Sequence, residues 1–219
     1  MREITDVARR HLAADGAAAL SLRAVARDLG LVSSALYRYF PSRDHLLTAL
    51  IVDAYDALGG AAERAEAAVE DRHDAAARFV AVGRAVRAWA RANPHEYALI
   101  YGSPVPGYAA PDATIAPALR VTVLLRQILV DAHCAGRLDA EPRPGLAAAT
   151  ADLVRLQDTF FDGVPVPVIG RGLLAWTQVF GSVSFELFGQ LHTVITDYDA
   201  WFEAVLAELV GSIGLLPRP

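Results

Sequence analysis

Residues 31–43, LVSSALYRYFPSR, place three serines, two tyrosines and two arginines within thirteen positions. Tyrosine and serine hydroxyls can bond phosphate oxygens or base edges, the methyl of Ala35 can touch a thymine methyl, and arginine can grip phosphate or guanine. That is the chemistry of nucleic-acid recognition. Catalytic chemistry has no comparable signature. The chain contains no HExxH, no GxSxG, no glycine-rich phosphate loop and no Cys/His ligand spacing, and its six histidines are scattered. The single cysteine, Cys134, excludes an intrachain disulfide framework and a cysteine-cluster metal site. No catalytic residue, metal or cofactor is expected.

The elements that must position these groups are helices, since apolar residues recur with a 3.6-residue period almost everywhere. Ile4, Val7, Ala8, His11 and Leu12 form one face of a first helix that stops near Asp15–Gly16. Ser21 is the expected cap of a second, with Leu22, Val25, Ala26 and Leu29 on one face and Gly30 as its stop. Ser33 or Ser34 should cap a very short third, ending at Phe40–Pro41, and Ser42 should open a long fourth. Leu36 and Phe40, four apart, face inward, which leaves Ser33, Ser34, Ala35, Tyr37, Arg38 and Tyr39 for contact. A helix, a glycine turn and a short exposed second helix make a helix-turn-helix unit sized for a major groove. Ser21 and Arg23 at one helix start, and Ser42 and Arg43 at another, are the candidate phosphate clamps, because free amides and the helix dipole favour an anion there.

Charge agrees with that placement. All twenty basic residues are arginine, and a net charge of −5 divides into about +2 for residues 1–48 and −7 for the rest. A mildly basic head on an acidic body implies that only the head meets a polyanion. The all-arginine inventory itself reads as compositional bias. With 54% hydrophobic residues the chain can build a real core. The charged, helical N-terminus does not read as a signal peptide. The charge-free run 172–185 is shorter than the roughly 18 apolar residues of a bilayer span. A soluble, cytoplasmic protein with no membrane partner is expected.

Beyond residue 70 longer helices are expected at about 74–92, 94–101, 114–135, 145–161, 168–193 and 197–213, separated by Pro/Gly-bearing breaks. The 168–193 helix is apolar nearly all round, so it must be covered on two sides. Trp176 and Phe180 lie on one face; Gln178, Gly181, Phe185, Phe188, Gly189 and His192 lie on another. With Trp201, Val205 and Leu209 of the last helix, the second face is the expected dimer interface, two helices from each chain making a symmetric four-helix contact. Glu186 inside this apolar helix should find an arginine or hydroxyl partner. Trp89, Tyr97, Tyr101, Gln127, Ile128, Gln157, Trp176 and Phe180 are the candidate ligand-pocket residues, an apolar set with a few orienting polar groups.

Residues 2–50, and above all SLRAVARDLGLVSSALYRYFPSRDHLL (21–47), resemble the DNA-binding head of TetR-type (TetR/AcrR) transcriptional regulators. Over 175–191, AWTQVFGSVSFELFGQL is similar to the Trp-, Gly- and Glu-containing helix of one TetR C-terminal subgroup. The resemblance implies an all-α protein: a three-helix helix-turn-helix head (1–48) and a larger helical ligand-binding and dimerisation body (49–219). It implies a homodimer whose heads enter successive major grooves of a palindromic double-stranded operator, and a small-molecule effector that changes their spacing. Tyr37 and Tyr39 match positions that touch backbone or bases, and Ser33 to Ala35 match base-reading positions. Arg43 stands where the family usually has a phosphate-binding lysine, and His45 where an acidic capping residue is common. The expected function is a ligand-responsive regulator, a repressor released by a small apolar effector. The alternatives are a helical small-molecule- or partner-binding protein without DNA binding, against which the complete head argues, and an enzyme with a helical apolar pocket, for which no motif is present.

Overall fold

The computed structural model describes residues 1–141 and 144–216. Among these the chain forms α-helices and short 3-10 turns, and its only strand-like pairing is an isolated antiparallel bridge between Leu138 and Leu215. The helices are α1 (Arg2–Asp15), α2 (Leu22–Asp28), α3 (Ser33–Tyr37), α4 (Arg43–Ala67), α5 (Ala75–Ala92), α6 (Pro94–Tyr101), α7 (Ile115–Cys134), α8 (Thr150–Thr159), α9 (Val166–Leu187) and α10 (Tyr198–Ile213). They fall into two compact units, Met1–Gly59 with Trp89–Arg120, and Gly60–Ala88 with Val121–Pro219. The sequence-defined head, 1–48, lies wholly within the first.

In the first unit the periodic apolar residues of α1 to α4 meet in one core. Ile4, Val7 and Ala8 of α1, Leu22, Val25 and Ala26 of α2, Leu36 and Phe40 around α3, and Leu46, Leu47 and Leu50 of α4 are all buried. Gly30, at φ 66°, turns the chain between α2 and α3 in a left-handed conformation that costs glycine little. Leu99 and Ile100 of α6, with Val105 and Tyr108 of the segment that follows, pack against the flank of this core.

In the second unit α9 packs against α8 and α10. Its buried side is Val168, Ile169, Ala175, Val179, Phe180 and Val183. Arg87 of α5 donates to both carboxylate oxygens of Glu186 of α9 through its Nε and Nη2, at 2.7 and 2.9 Å, and its Nη1 reaches Asp199 of α10 at 2.7 Å. The partner required by Glu186 is therefore an arginine. Arg78 is buried between Glu66 and Asp131.

Two caps and two helix extents differ from expectation. Val32, not Ser33 or Ser34, occupies the cap position of α3, and no side chain caps it. Ser21 sits at the cap position of α2 without a side-chain bond. The helix expected over 145–161 divides into a 3-10 turn, Pro144–Ala149, and α8. The helix expected over 168–193 ends at Leu187, because Gly189 adopts φ 78° and breaks the ladder. Gly181 and Gly189 consequently do not share a helical stripe, and His192 lies beyond the helix.

Candidate nucleic-acid interface and effector pocket

The α2–α3 unit buries one side and opens the other. Leu36 is fully buried and Phe40 nearly so, whereas Ser34, Tyr37, Arg38 and Tyr39 are exposed and Ser33 and Ala35 are half-buried. Tyr37 is 42% and Tyr39 55% exposed, too open for core tyrosines. Arg38 and Arg23 form no ion pair with described residues, so both present free guanidinium charge at the two ends of the unit. Five of the ten expected contact residues, Arg23, Ser34, Tyr37, Arg38 and Tyr39, are thus exposed, and the other five are half-buried.

Arg43 is engaged within the protein. Its Nε donates to the Leu20 carbonyl (3.1 Å), and its Nη2 donates to the carbonyls of Ala17 (2.9 Å) and Ala18 (3.2 Å). The remaining nitrogen lies 3.6 Å from Asp44. Two nitrogens of the expected phosphate clamp thus bind the turn that precedes α2, made of a one-turn 3-10 helix (Ala17–Ala19) and Leu20. Ser42 caps α4: its Oγ accepts from the His45 amide at 3.3 Å and lies 2.8 Å from His45 Nδ1. Both contacts fall on the Ser42 hydroxyl, so the imidazole fixes the capping side chain and does not reach the Ser42 amide as the acid of a capping box would. His11 and Asp28, 2.7 Å apart, link α1 to the end of α2.

The candidate pocket residues fall into two groups. In the first unit Tyr97 is fully buried, and Tyr101 stacks near it at 5.1 Å between ring centroids and meets Tyr55 edge-on at 6.0 Å. Burial pushes the phenols of Tyr55 and Tyr101 above the usual tyrosine range, most strongly at Tyr101. Trp89 is half-buried, and its carbonyl accepts from Asn93. In the second unit Ile128, Trp176 and Phe180 line one small apolar cavity, with Trp176 and Phe180 at 5.3 Å between centroids. Phe79, Val82 and Val86 of α5 complete it. Their i, i+3, i+7 spacing was legible, but which helix they face was not. The cavity measures only about 20 Å³. The indole N–H of Trp176 has no acceptor among the described residues. Gln127 is exposed and bound to Asp131, and Gln157 donates to the Val164 carbonyl, so both amides are already engaged.

The expected dimer face divides by burial. Gln178, Phe185, Phe188, Gly189, His192 and Trp201 are exposed, Gly181 is half-buried, and Val205 and Leu209 are just buried at the edge. Phe185 and Phe188 at 53% and 42%, with Leu174 at 57% and Trp201 at 42%, leave more aromatic and aliphatic surface open than single scattered residues would.

Comparison with known proteins identifies this architecture. Residues 4–50 match the family model for bacterial regulatory proteins of the tetR family, and residues 79–209 match that for the tetracyclin repressor-like C-terminal domain. The chain belongs to the TetR family of transcriptional regulators. It is 40% identical to the HTH-type transcriptional regulator Rv1816 of Mycobacterium tuberculosis, over 95% of this chain and 89% of that protein. Among solved structures it is similar to the regulatory protein SCO4313, at 35% identity and a TM-score of 0.78, over 96% of this chain and 94% of that one. A Rhodococcus sp. RHA1 protein described as of unknown function matches at 25% identity and a TM-score of 0.72, over 95% and 92%. The TetR family is one of DNA-binding regulators, and the exposed face of α2–α3 lies inside the matched head.

Proposed function

We propose that this TetR-family chain is a ligand-responsive repressor that acts in the cytoplasm as a homodimer on a palindromic operator. The head, residues 1–48, lays α3 in the major groove, where Ser33, Ser34, Ala35, Tyr37 and Tyr39 reach bases and backbone. Ser21, Arg23, Arg38 and Ser42 hold phosphates on either side. The observation that carries this reading is the division of α3 and its flanks: Leu36 and Phe40 close the core while Ser34, Tyr37, Arg38 and Tyr39 stand free. The body, residues 49–219, dimerises through α9 and α10, a reading supported by the exposed Leu174, Phe185, Phe188 and Trp201. A small apolar effector favours one body shape and takes the two heads off the roughly 34–36 Å spacing of successive grooves. It changes operator affinity only by its differential affinity for the two shapes.

Fluorescence anisotropy of the purified protein on its own upstream DNA tests the proposal. Saturable binding that survives moderate salt and excess non-specific DNA is expected. Binding indistinguishable from that to random duplex would refute it.

A further inference from the structure

Val32 gains nothing from the fold of the head that carries it. It occupies the cap position of α3, with φ −69° and ψ 140°, and its side chain can accept no bond from the amides that follow. Valine is among the poorest residues for that place, where a hydroxyl or a short carboxylate is preferred. Burial does not compensate. Val32 is 71% exposed and Leu31 before it 43%, whereas Leu29 packs against the head core and Leu36 lies inside it. Two adjoining apolar side chains stand in water beside the recognition face. A local rule broken without a gain in the folded protein points to function.

The backbone holds Val32 in one place. Gly30 turns the chain at φ 66°, the Leu31 N–H donates to the Ala26 carbonyl at 2.9 Å, and the Val32 carbonyl accepts from the Ala35 N–H at 2.9 Å. The side chain is branched at Cβ and has little χ1 freedom. It therefore loses little conformational entropy when it meets a partner.

The partner follows from the position. A helix-turn-helix sets the first residues of its second helix against base edges in the major groove, and Val32 directly precedes Ser33 and the exposed Ser34 of α3. Valine has no donor or acceptor, and packing it on a polar base edge would strip water from that edge without replacing its hydrogen bonds. The apolar group on the major-groove edges of the four bases is the C5 methyl of thymine.

We infer that Val32 is a specificity-determining residue of the head: it packs on a thymine methyl in each operator half-site and selects thymine there without a hydrogen bond. The inference deepens the operator reading above and rests on it. Burying one methyl shifts an affinity about fourfold, which sets the size of the effect at each half-site.

The test uses the full chain and its upstream DNA. In competition anisotropy, thymines of the bound duplex are replaced one at a time by deoxyuridine, which removes the methyl and leaves the pairing and the polar edge of the base unchanged. Wild type should lose about fourfold at one thymine of each half-site through this contact. Val32→Ser should bind the thymine and uracil duplexes alike at that thymine, and should keep whatever penalty wild type shows at the others. Serine is a good cap, so Val32→Ser should melt no lower than wild type while it loses the discrimination. A merely structural role for Val32 would not move the uracil penalty at a single position. Val32→Ala, which carries no hydroxyl, provides a second variant and should also reduce that penalty. The inference is overturned if no uracil substitution weakens wild type, or if the folded variants keep the full penalty at every position. Specific binding that ignores uracil removes the role of Val32 and leaves the operator reading standing. Wild type that does not distinguish its upstream DNA from random duplex removes both.

Discussion

Replacing Arg43 by alanine separates the phosphate contact expected from the sequence from the intramolecular contacts seen in the structure. A phosphate clamp contributes to DNA affinity and nothing else; a staple contributes to the folded head whether or not DNA is present. The guanidinium makes three donor contacts, at 3.1, 2.9 and 3.2 Å, to carbonyls of Leu20, Ala17 and Ala18. A charged donor to a backbone acceptor contributes about 1.5–3 kcal/mol in favourable cases, less where water competes. The Arg43 side chain is 30% exposed. Because the three bonds share one group and one partly open site, we set the loss in Arg43→Ala at about 2 kcal/mol in total, well below their sum. For a chain of this size that lowers the melting temperature by about 4–8 °C. Arg43→Lys keeps the charge but has no planar fork, and should recover about half of the loss.

Thermal melts followed by circular dichroism give the first readout, and the salt dependence of operator binding gives the second. Each phosphate neutralised adds about 0.9 to the slope of log K against log salt, so a dimer that loses one clamp per head loses about 1.8. With Arg43 as a staple the slope is unchanged and the melting temperature falls. An unchanged melting temperature with a slope reduced by about 2 would refute the assignment.

Other perturbations test the remaining surfaces. Tyr37→Ala should weaken operator binding about tenfold or more while the melting temperature moves little, since a partly open side chain adds little to the core; equal affinity by anisotropy would remove Tyr37 from the contact face. Phe185→Asp, on the open side of α9, should convert the dimer to monomer in light scattering coupled to size exclusion, and a retained dimer mass would place the interface elsewhere. Arg87→Ala should destabilise the second unit by about 3 kcal/mol in urea unfolding, because Glu186 is left buried without its bidentate partner. Burial raises the phenols of Tyr55 and Tyr101 above their unfolded value of about 10, so the neutral forms belong to the folded state. Their contribution is intact below that pH and is lost as pH rises from there towards the folded values. Alkaline unfolding should therefore accompany a late step in phenolate absorbance, and Tyr101→Phe should diminish that step; all seven tyrosines titrating near 10 in the folded protein, with no late step, would contradict the burial.

The head was legible in the sequence because local signals agree there. The i, i+4 pair Leu36 and Phe40 fixes the inward side of α3, Gly30 fixes the turn, and what is left over faces out. The body's helices were legible for the same reason, but their ends were not always so. Apolar periodicity continues through Leu191, so only the backbone reveals that Gly189 takes φ 78° and ends α9 early. Long-range partners were the least legible. Arg87 and Glu186 are 99 residues apart, and nothing in either neighbourhood names the other. The contact between α4 and the 102–114 segment is harder still, since that segment reads only as a Pro/Gly break and the hydrogen bond of Thr48 with Tyr108 joins side chains 60 residues apart.

The arginines carry a related lesson about composition. A chain with twenty arginines and no lysine invites a nucleic-acid reading from its inventory alone, yet most of the located guanidinium groups hold protein to protein. Arg171 is buried and donates to the carbonyls of Asp139 and Glu141, Arg120 binds both the carbonyl and the carboxylate of Asp56, and Arg43 gathers three carbonyls of one turn. Each of these uses several N–H groups in one fixed plane, which an ammonium on a flexible stem reproduces poorly. Arginine at position 43 therefore does more than preserve the charge of a lysine: its fork can bind the turn before α2 and so set where Ser21, Arg23 and the recognition face lie. On the proposed function, the charge available to DNA is then the smaller set with no internal partner, Arg23 in the first turn of α2 and Arg38 at the end of α3 among them. Operator affinity should follow those two residues more closely than it follows the arginine content of the head.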